Sequence, residues 1–177
     1  MRSIDTVNSR SGAAAWLVAA AVLWCLSCAF SAAHAQAAAA GKRPLFQKYV
    51  GSPNSDGLLR EPGVRSQLEA LLGKALPKLR QNIEVAGDVD LVGGALRVSG
   101  NAPHKGTEEE GIICISDVGT APLVEAAIFS KGRVTVFAKA EKYEYAMLCI
   151  KDWITQVNSM HRDRFDQPKN VQLVRAK

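Results

Sequence analysis

The spacing of the hydrophobic positions divides the chain into helical and strand-like segments. After Pro62, leucine and valine recur on one helical face, which predicts a helix over residues 62–73 that starts at the proline. A second apolar stripe predicts another short helix over residues 75–82. The segment before them, residues 51–57, is rich in glycine, proline, serine and asparagine and therefore predicts a loop.

Beyond residue 88 the hydrophobic positions alternate or run continuously over short stretches, as they do in strands. The short turn segments Gly93-Gly94 and Ser130-Lys131-Gly132 separate neighbouring stretches. Strands that are joined by such short turns pair in antiparallel fashion. The predicted strands are residues 89–92, 95–100, 112–115, 124–129 and 133–138.

A helical period returns over residues 141–160, and residues 170–174 predict a last edge strand. The order of helices, then strands, then a helix indicates the α+β class. We therefore expect an antiparallel sheet of about five strands with short N-terminal helices and a C-terminal helix. The residues predicted to share one face of the last helix are Tyr145, Leu148, Cys149, Trp153 and Val157.

The N-terminal segment has the three parts of a secretory signal peptide. Arginines precede an uncharged, alanine-rich run over residues 13–30, and a small-x-small cleavage site follows at residues 33–35. The alternative is a membrane anchor, since the run approaches the length of a bilayer span. Small residues rather than a charged stop follow the run, which favours cleavage of residues 1–35. Residues 36–43 then predict a flexible leader, and residues 44–177 predict a single domain.

Export would make the protein periplasmic or secreted, with no membrane attachment after cleavage. The net charge of the whole chain is +5, and cleavage would leave it about one unit lower. Two cysteines would remain, Cys114 in a predicted strand and Cys149 in the predicted last helix. In an exported chain such a pair predicts one disulfide, and the alternative is two buried thiols.

The remaining residues offer little catalytic chemistry. After cleavage the histidines are His104 and His161, and the sequence has no metal-ligand cluster, no glycine-rich phosphate loop and no nucleophile elbow. Lysine and arginine are scattered rather than concentrated in a patch with aromatic residues, which argues against nucleic-acid binding. The sequence therefore predicts a protein that is not an enzyme and that has no metal and no cofactor.

One predicted strand connection differs from the others in length and composition. Residues 100–111 are rich in turn formers, and Pro103 stiffens the segment that presents His104 and Lys105. A rigid loop with one exposed imidazole is a candidate for recognition of a partner, because binding residues favour loops held by a rigid scaffold. The alternative is an ordinary polar hairpin loop in which the histidine has no role.

This segment resembles a known family, the bacterial inhibitors of vertebrate (C-type) lysozyme. The family pattern is Gly-Cys-x-Pro-His-x-Cys-Gly between two strands, and this chain matches it at Gly100, Pro103 and His104. The flanking strands and the preceding helices are similar too, over about residues 46–137.

The resemblance implies an exported α+β protein, often a homodimer, whose histidine loop plugs the catalytic cleft of a lysozyme or other muramidase. It makes His104 the plug, Pro103 its stiffener and Gly100 the entry to the loop. The charge of Lys105 would suit the two carboxylates of the cleft. The alternative is an exported binding or structural protein that shares only the scaffold.

Two positions depart from the family pattern. Asn101 and Gly106 stand where the family has cysteines, so the loop disulfide of the family cannot form. Without it, binding to a partner has to order the loop, which opposes association. Beside the loop, the three glutamates of residues 108–110 either attract a basic partner or form a solvated turn.

Overall fold

The computed structural model describes residues 46–117, 121–161 and 170–175, which belong to one compact unit, Pro44–Lys177. The predicted signal peptide and leader lie outside the described residues. None of the helices within these ranges has the length and hydropathy needed to cross a membrane.

Among the described residues, three α-helices come before the strands in the sequence, and a fourth comes between the last two strands. The two helices predicted after Pro62 are confirmed. The α-helices are α1 (Ser55–Arg60), α2 (Pro62–Leu72), α3 (Leu76–Asn82) and α4 (Leu148–Met160). Single 3-10 turns lie at Gln47–Tyr49, Gly73–Ala75 and Tyr143–Tyr145.

The predicted loop over residues 51–57 is wrong at its end, because α1 begins inside it. Asn54 precedes this helix, and its side-chain oxygen accepts a hydrogen bond from the N–H of Gly57 at 2.9 Å. Such a cap satisfies one of the N–H groups that the start of a helix leaves without a partner. Asparagine is both a turn former and a capping residue, so composition alone did not reveal the helix.

The strands of the described residues form one sheet. They are β1 (Val85–Ala86), β2 (Asp90–Val92), β3 (Ala95–Asn101), β4 (Glu109–Ser116), β5 (Leu123–Ser130), β6 (Arg133–Ala138) and β7 (Val171–Arg175). Their order is β1-β3-β4-β5-β6-β7, with β2 also pairing to β3. The α+β class is confirmed.

The sheet differs from the prediction in two details. All strand pairs are antiparallel except that of β6 with β7, which is parallel. The edge strand predicted over residues 170–174 corresponds to β7, and it runs in the same direction as β6. Strand β1 was not predicted, because two residues are too few to show a period.

Helices cover both faces of the sheet. The N-terminal helices pack on one face and α4 packs on the other, so alternate residues of β4 enter two different cores. Ile113 and Ile115 join the core under the N-terminal helices, whereas Ile112 and Cys114 face α4. Burial on both faces explains why the apolar run of β4 is nearly continuous, since neither face needs polar residues.

The predicted disulfide between Cys114 and Cys149 is confirmed, and it joins β4 to the first turn of α4. Both residues are completely buried. The bond therefore lies within the core between the sheet and α4. It fastens a helix to the sheet and does not close the loop that follows β3.

Helix α4 begins at Leu148, later than the predicted start of residues 141–160. The N–H of Met147, just before the helix, donates a 2.7 Å hydrogen bond to the buried carboxylate of Glu125 in β5. The prediction that Tyr145 and Leu148 share a face with the other three residues is wrong, because Tyr145 precedes the helix and the two residues are 70% and 60% exposed. The other residues of the predicted face are buried, namely Cys149, Trp153 and Val157.

The carboxylate of Glu125 makes stability depend on pH. Burial raises the pKa of Glu125 above its ordinary value, although the Met147 N–H and the charge of Lys151 favour the ionised form. The stability that this raised pKa provides is present in acid and is lost as the pH rises through the folded-state pKa. At neutral pH the burial of this carboxyl group therefore opposes folding.

We expect Glu125→Gln to melt at a higher temperature than the wild type at neutral pH, because the amide keeps an oxygen acceptor and carries no charge. The difference should shrink as the pH falls towards about 4, where glutamate becomes protonated in both states. Thermal unfolding across this range measures it. Glu144→Gln, at an exposed position nearby, is the matched control, and a Glu125→Gln variant that melts below the wild type at neutral pH would contradict the expectation.

Candidate functional site

Two glycines face each other in β3 and β4, close to the loop that joins these strands. Gly100 lies opposite Gly111 in the sheet. A Cβ atom at Gly100 would lie 2.5 Å from the carbonyl oxygen of Val85 in β1, and one at Gly111 would lie 2.9 Å from side-chain atoms of Leu79 and Ile83. Gly100 lies near the end of β3, where the close approach of β1 leaves no room for a side chain.

The first turn of the loop presents the histidine. The N–H of Lys105 donates a 3.0 Å hydrogen bond to the carbonyl of Ala102, which closes a four-residue turn. Pro103 occupies the second position and restricts φ there, while His104 occupies the third position with a φ of 60°. This is the pattern of a type II turn, whose third position favours glycine or asparagine. The exposed His104 therefore holds a backbone conformation that costs about 1 kcal/mol or more.

A second turn follows the first without a break. The N–H of Glu108 donates a 3.1 Å hydrogen bond to the carbonyl of Lys105, and Thr107 at the third position has a φ of 70°. A positive φ is rare for a β-branched residue and marks strain. Two strained residues so close together indicate that the surroundings impose the shape of the loop. The side chains from His104 to Glu108 are all exposed and are available to a partner.

Glu109 fixes the end of the loop through its main chain and its side chain. Its N–H donates to the carbonyl of Lys105 at 3.1 Å, and its carbonyl accepts from the N–H of Ala102 at 2.9 Å. Its carboxylate forms an ion pair with Lys78 of α3 at 2.8 Å and accepts a hydrogen bond from Ser130 of β5 at 2.9 Å. Burial by itself raises the pKa of Glu109, but these two partners bring the pKa below its ordinary value.

Asn82, at the end of α3, reinforces this attachment from inside the core. It is completely buried, and its amide donates to the carbonyl oxygens of Glu110 and Phe129 at 3.0 and 3.1 Å. The same amide lies 3.4 Å from the carboxylate of Glu109. The sequence did not single out Asn82, because its partners are far away along the chain and an isolated asparagine carries no signal of such contacts.

Glu110 attaches the loop on the other face of the sheet. Its half-buried carboxylate lines the same depression as Thr107, and the main chain of Thr107 and the side chain of His161 at the end of α4 both favour its ionised form. Burial raises the pKa of Glu110, whereas both of these neighbours act in the opposite direction. The glutamates of residues 108–110 are therefore not a solvated turn, since only Glu108 among them is exposed.

The two positions that hold cysteines in the family pattern lie side by side. A Cβ atom at Gly106 would lie 3.8 Å from Nδ2 of Asn101. That amide donates a 3.0 Å hydrogen bond to the carbonyl of Ala102, which also accepts from Lys105 in the first turn. The side chain of Asn101 thus bonds to its neighbour Ala102 within the loop and does not bridge to Gly106.

Two depressions flank the loop and leave it accessible from both sides. One has a volume of about 440 Å³ and lies between the loop and α4, where Val85, Trp153 and Met160 give it an apolar lining. The other has a volume of about 260 Å³ and lies between the loop and the turn that joins β5 to β6, where Lys131 adds a cation. A partner can therefore surround the loop.

The chemistry of the loop is that of a hydrogen-bond donor to anions. The exposed side chains of its first turn are an imidazole and an ammonium group, from His104 and Lys105. Such groups form their strongest contacts with carboxylates. Within residues 46–117, 121–161 and 170–175, no three His, Cys, Asp or Glu side chains are grouped so that they could hold a metal ion.

Comparison with known proteins gives one match. The family described as inhibitor of vertebrate lysozyme (Ivy) matches the chain over residues 63–162, which is more than half of its length. The matched region contains the loop and both cysteines of the disulfide. No curated protein and no solved structure matches the chain.

Proposed function

The chain belongs to the family of inhibitors of vertebrate lysozyme, and we propose that it inhibits a C-type lysozyme by inserting the loop that carries His104 into the catalytic cleft. The turn of Pro103 and His104 carries this proposal, because it presents an exposed imidazole on a hairpin whose end is bound to α3 through Glu109 and packs beside α4 through Glu110. The inhibitor itself performs no chemical step. It acts by occupying the place of the substrate.

The chemistry of a lysozyme cleft suits this loop. A glycoside hydrolase of this kind holds two carboxyl groups on either side of the bond that it cleaves. The imidazole of His104 can donate charge-assisted hydrogen bonds to them, and the ammonium group of Lys105 adds a second donor. The turn already has its strained φ before binding, so little further ordering opposes association.

Residues 1–35 support the cellular part of the proposal. We infer that they form a signal peptide and that the mature inhibitor is periplasmic or secreted. A lysozyme that attacks the cell wall would meet the inhibitor there. The confirmed disulfide agrees with an oxidising compartment.

The test is inhibition of cell-wall lysis by purified mature protein, residues 36–177. A C-type lysozyme should be inhibited at nanomolar to micromolar concentration, and a chitooligosaccharide that fills the cleft should compete with the inhibitor. Binding that the oligosaccharide leaves unchanged would contradict the cleft mechanism. Absence of inhibition for C-, G- and I-type lysozymes would instead favour an exported binding or structural protein on the same scaffold, whose partner a pull-down from envelope extract would reveal.

A further inference from the structure

We propose that Glu109 and Glu110 together hold the loop in its binding shape, in place of the disulfide that the family pattern has between positions 101 and 106. We call these two residues the acid clamp. Its consequence for lysozyme binding rests on the proposed function, whereas its effect on the free loop does not.

The two members of the acid clamp act from opposite faces of the sheet. Adjacent residues of a strand point to opposite faces. Glu109 accordingly reaches Lys78 and Ser130 on the side of α3, and Glu110 reaches Thr107 on the side of α4. A contact on one face alone would let the loop tilt towards the other face. Contacts on both faces restrain it in both directions.

The contacts of Glu109 are strong for their position near the surface. The Glu109 side chain is only 12% exposed and the Lys78 side chain is 38% exposed, so solvent screens their ion pair incompletely. The hydroxyl of Ser130 donates to the other carboxylate oxygen. Hydrogen bonds to a charged group contribute more to stability than those between neutral groups.

The contact of Glu110 acts where the loop is most strained. Thr107 has a φ of 70°, a conformation that a β-branched residue leaves unless its surroundings hold it. Glu110 lines the same depression beside α4 as Thr107, and the main chain of Thr107 favours the ionised form of its carboxylate. Glu110 therefore stabilises the second turn and, through the shared Lys105, the turn that carries His104.

Amide hydrogen exchange of the free mature protein tests the clamp without any lysozyme. Glu110→Ala removes the carboxylate that the clamp places against the main chain of Thr107, so exchange at the Thr107 N–H should become about tenfold faster or more. Glu110→Gln keeps an oxygen acceptor and should change the rate much less. Glu108→Gln removes the same charge from an exposed neighbour and is the matched control. Unchanged exchange at Thr107 in Glu110→Ala would overturn the clamp.

Inhibition of a C-type lysozyme then tests whether the clamp positions the loop for binding. Glu110→Ala should inhibit about tenfold less well. Adding Asn101→Cys and Gly106→Cys should restore its inhibition, because a disulfide would hold the same segment. Gly106 has ordinary space around a Cβ atom and no positive φ, so it tolerates a cysteine. The same cysteine pair should not restore inhibition to a variant that lacks the imidazole of His104.

The outcomes separate the clamp from the proposed function. A Glu110→Ala variant that inhibits as well as the wild type despite faster exchange at Thr107 overturns the positioning role. So does a variant that forms the loop disulfide and stays weak. Faster exchange in Glu110→Ala, together with a wild type that inhibits no lysozyme, supports the clamp and refutes the proposed function.

Discussion

Replacing His104 by asparagine should weaken inhibition of a C-type lysozyme by about 100-fold or more. A side chain that is central to an interface and buried on binding commonly contributes about 2 kcal/mol or more when truncated. Here the shorter amide of asparagine would also reach the carboxylates of the cleft less well than the imidazole does and would leave Lys105 as the main donor, which adds the cost of incompletely satisfied buried groups. Inhibition constants for the two proteins measure the effect.

Asparagine is the informative replacement because of the backbone. His104 has a φ of 60°, and asparagine adopts the left-handed region more readily than other residues with a side chain. The turn should therefore persist in His104→Asn, and a loss of inhibition would be due to the missing imidazole. Alanine would mix this loss with backbone strain.

Lys105→Ala provides the comparison for His104→Asn. Lys105 is exposed in the same turn, so its loss should reduce inhibition less and the reduction should diminish at high salt. Neither variant should melt at a different temperature from the wild type by more than a few degrees, because both side chains are exposed. Equal inhibition by His104→Asn and the wild type would rule out the plug.

Removal of the disulfide should have the largest effect on stability. In the double variant Cys114→Ala and Cys149→Ala, the free energy of unfolding should fall by roughly 3–4 kcal/mol, because the two cysteines are 35 residues apart and their link restricts the unfolded chain. Since a domain of this size is stable by only about 5–15 kcal/mol, this is a large fraction of its stability. Urea unfolding at equilibrium measures the change.

A reductant supplies the control for the disulfide. Unfolding of the wild type in the presence of reductant should move towards that of the double variant, whereas the double variant should be indifferent to reductant. The double variant should still inhibit lysozyme at temperatures well below its melting point, because the bond lies in the core with α4 and not in the loop. A double variant as stable as the oxidised wild type would contradict the proposed contribution of the disulfide.

The elements that the sequence predicted correctly are those with a period of their own. Helices α2 and α3 and strands β3 to β6 each repeat hydrophobic residues over enough positions to show a spacing of 3.6 or 2. Helix α1 and strand β1 were missed, because one starts at a cap among turn formers and the other has two residues. The start of α4 was misplaced, because Glu125 on a distant strand binds the residue before it.

The residues of the candidate site also divide into those that the sequence could identify and those that it could not. Pro103 and His104 could be identified as the presenting residues, because proline restricts its own φ wherever it stands and the loop is defined by its neighbours in sequence. Lys78 and Ser130 could not be identified, because the contacts that attach Glu109 join residues from different elements. The close packing around Gly100 could not be identified for the same reason, since it is the adjacent strand β1 that leaves no room for a side chain.

The sequence by itself determined the α+β class, the disulfide partners, the loop with its proline and histidine, and the resemblance to lysozyme inhibitors. These properties depend on local spacing and on residue identity, which are present before the chain folds. Only the tertiary structure decided how the loop is held without its own disulfide. That depends on Glu109 and Glu110 reaching opposite faces of a sheet, and such contacts exist only once the sheet has formed between its two layers of helices.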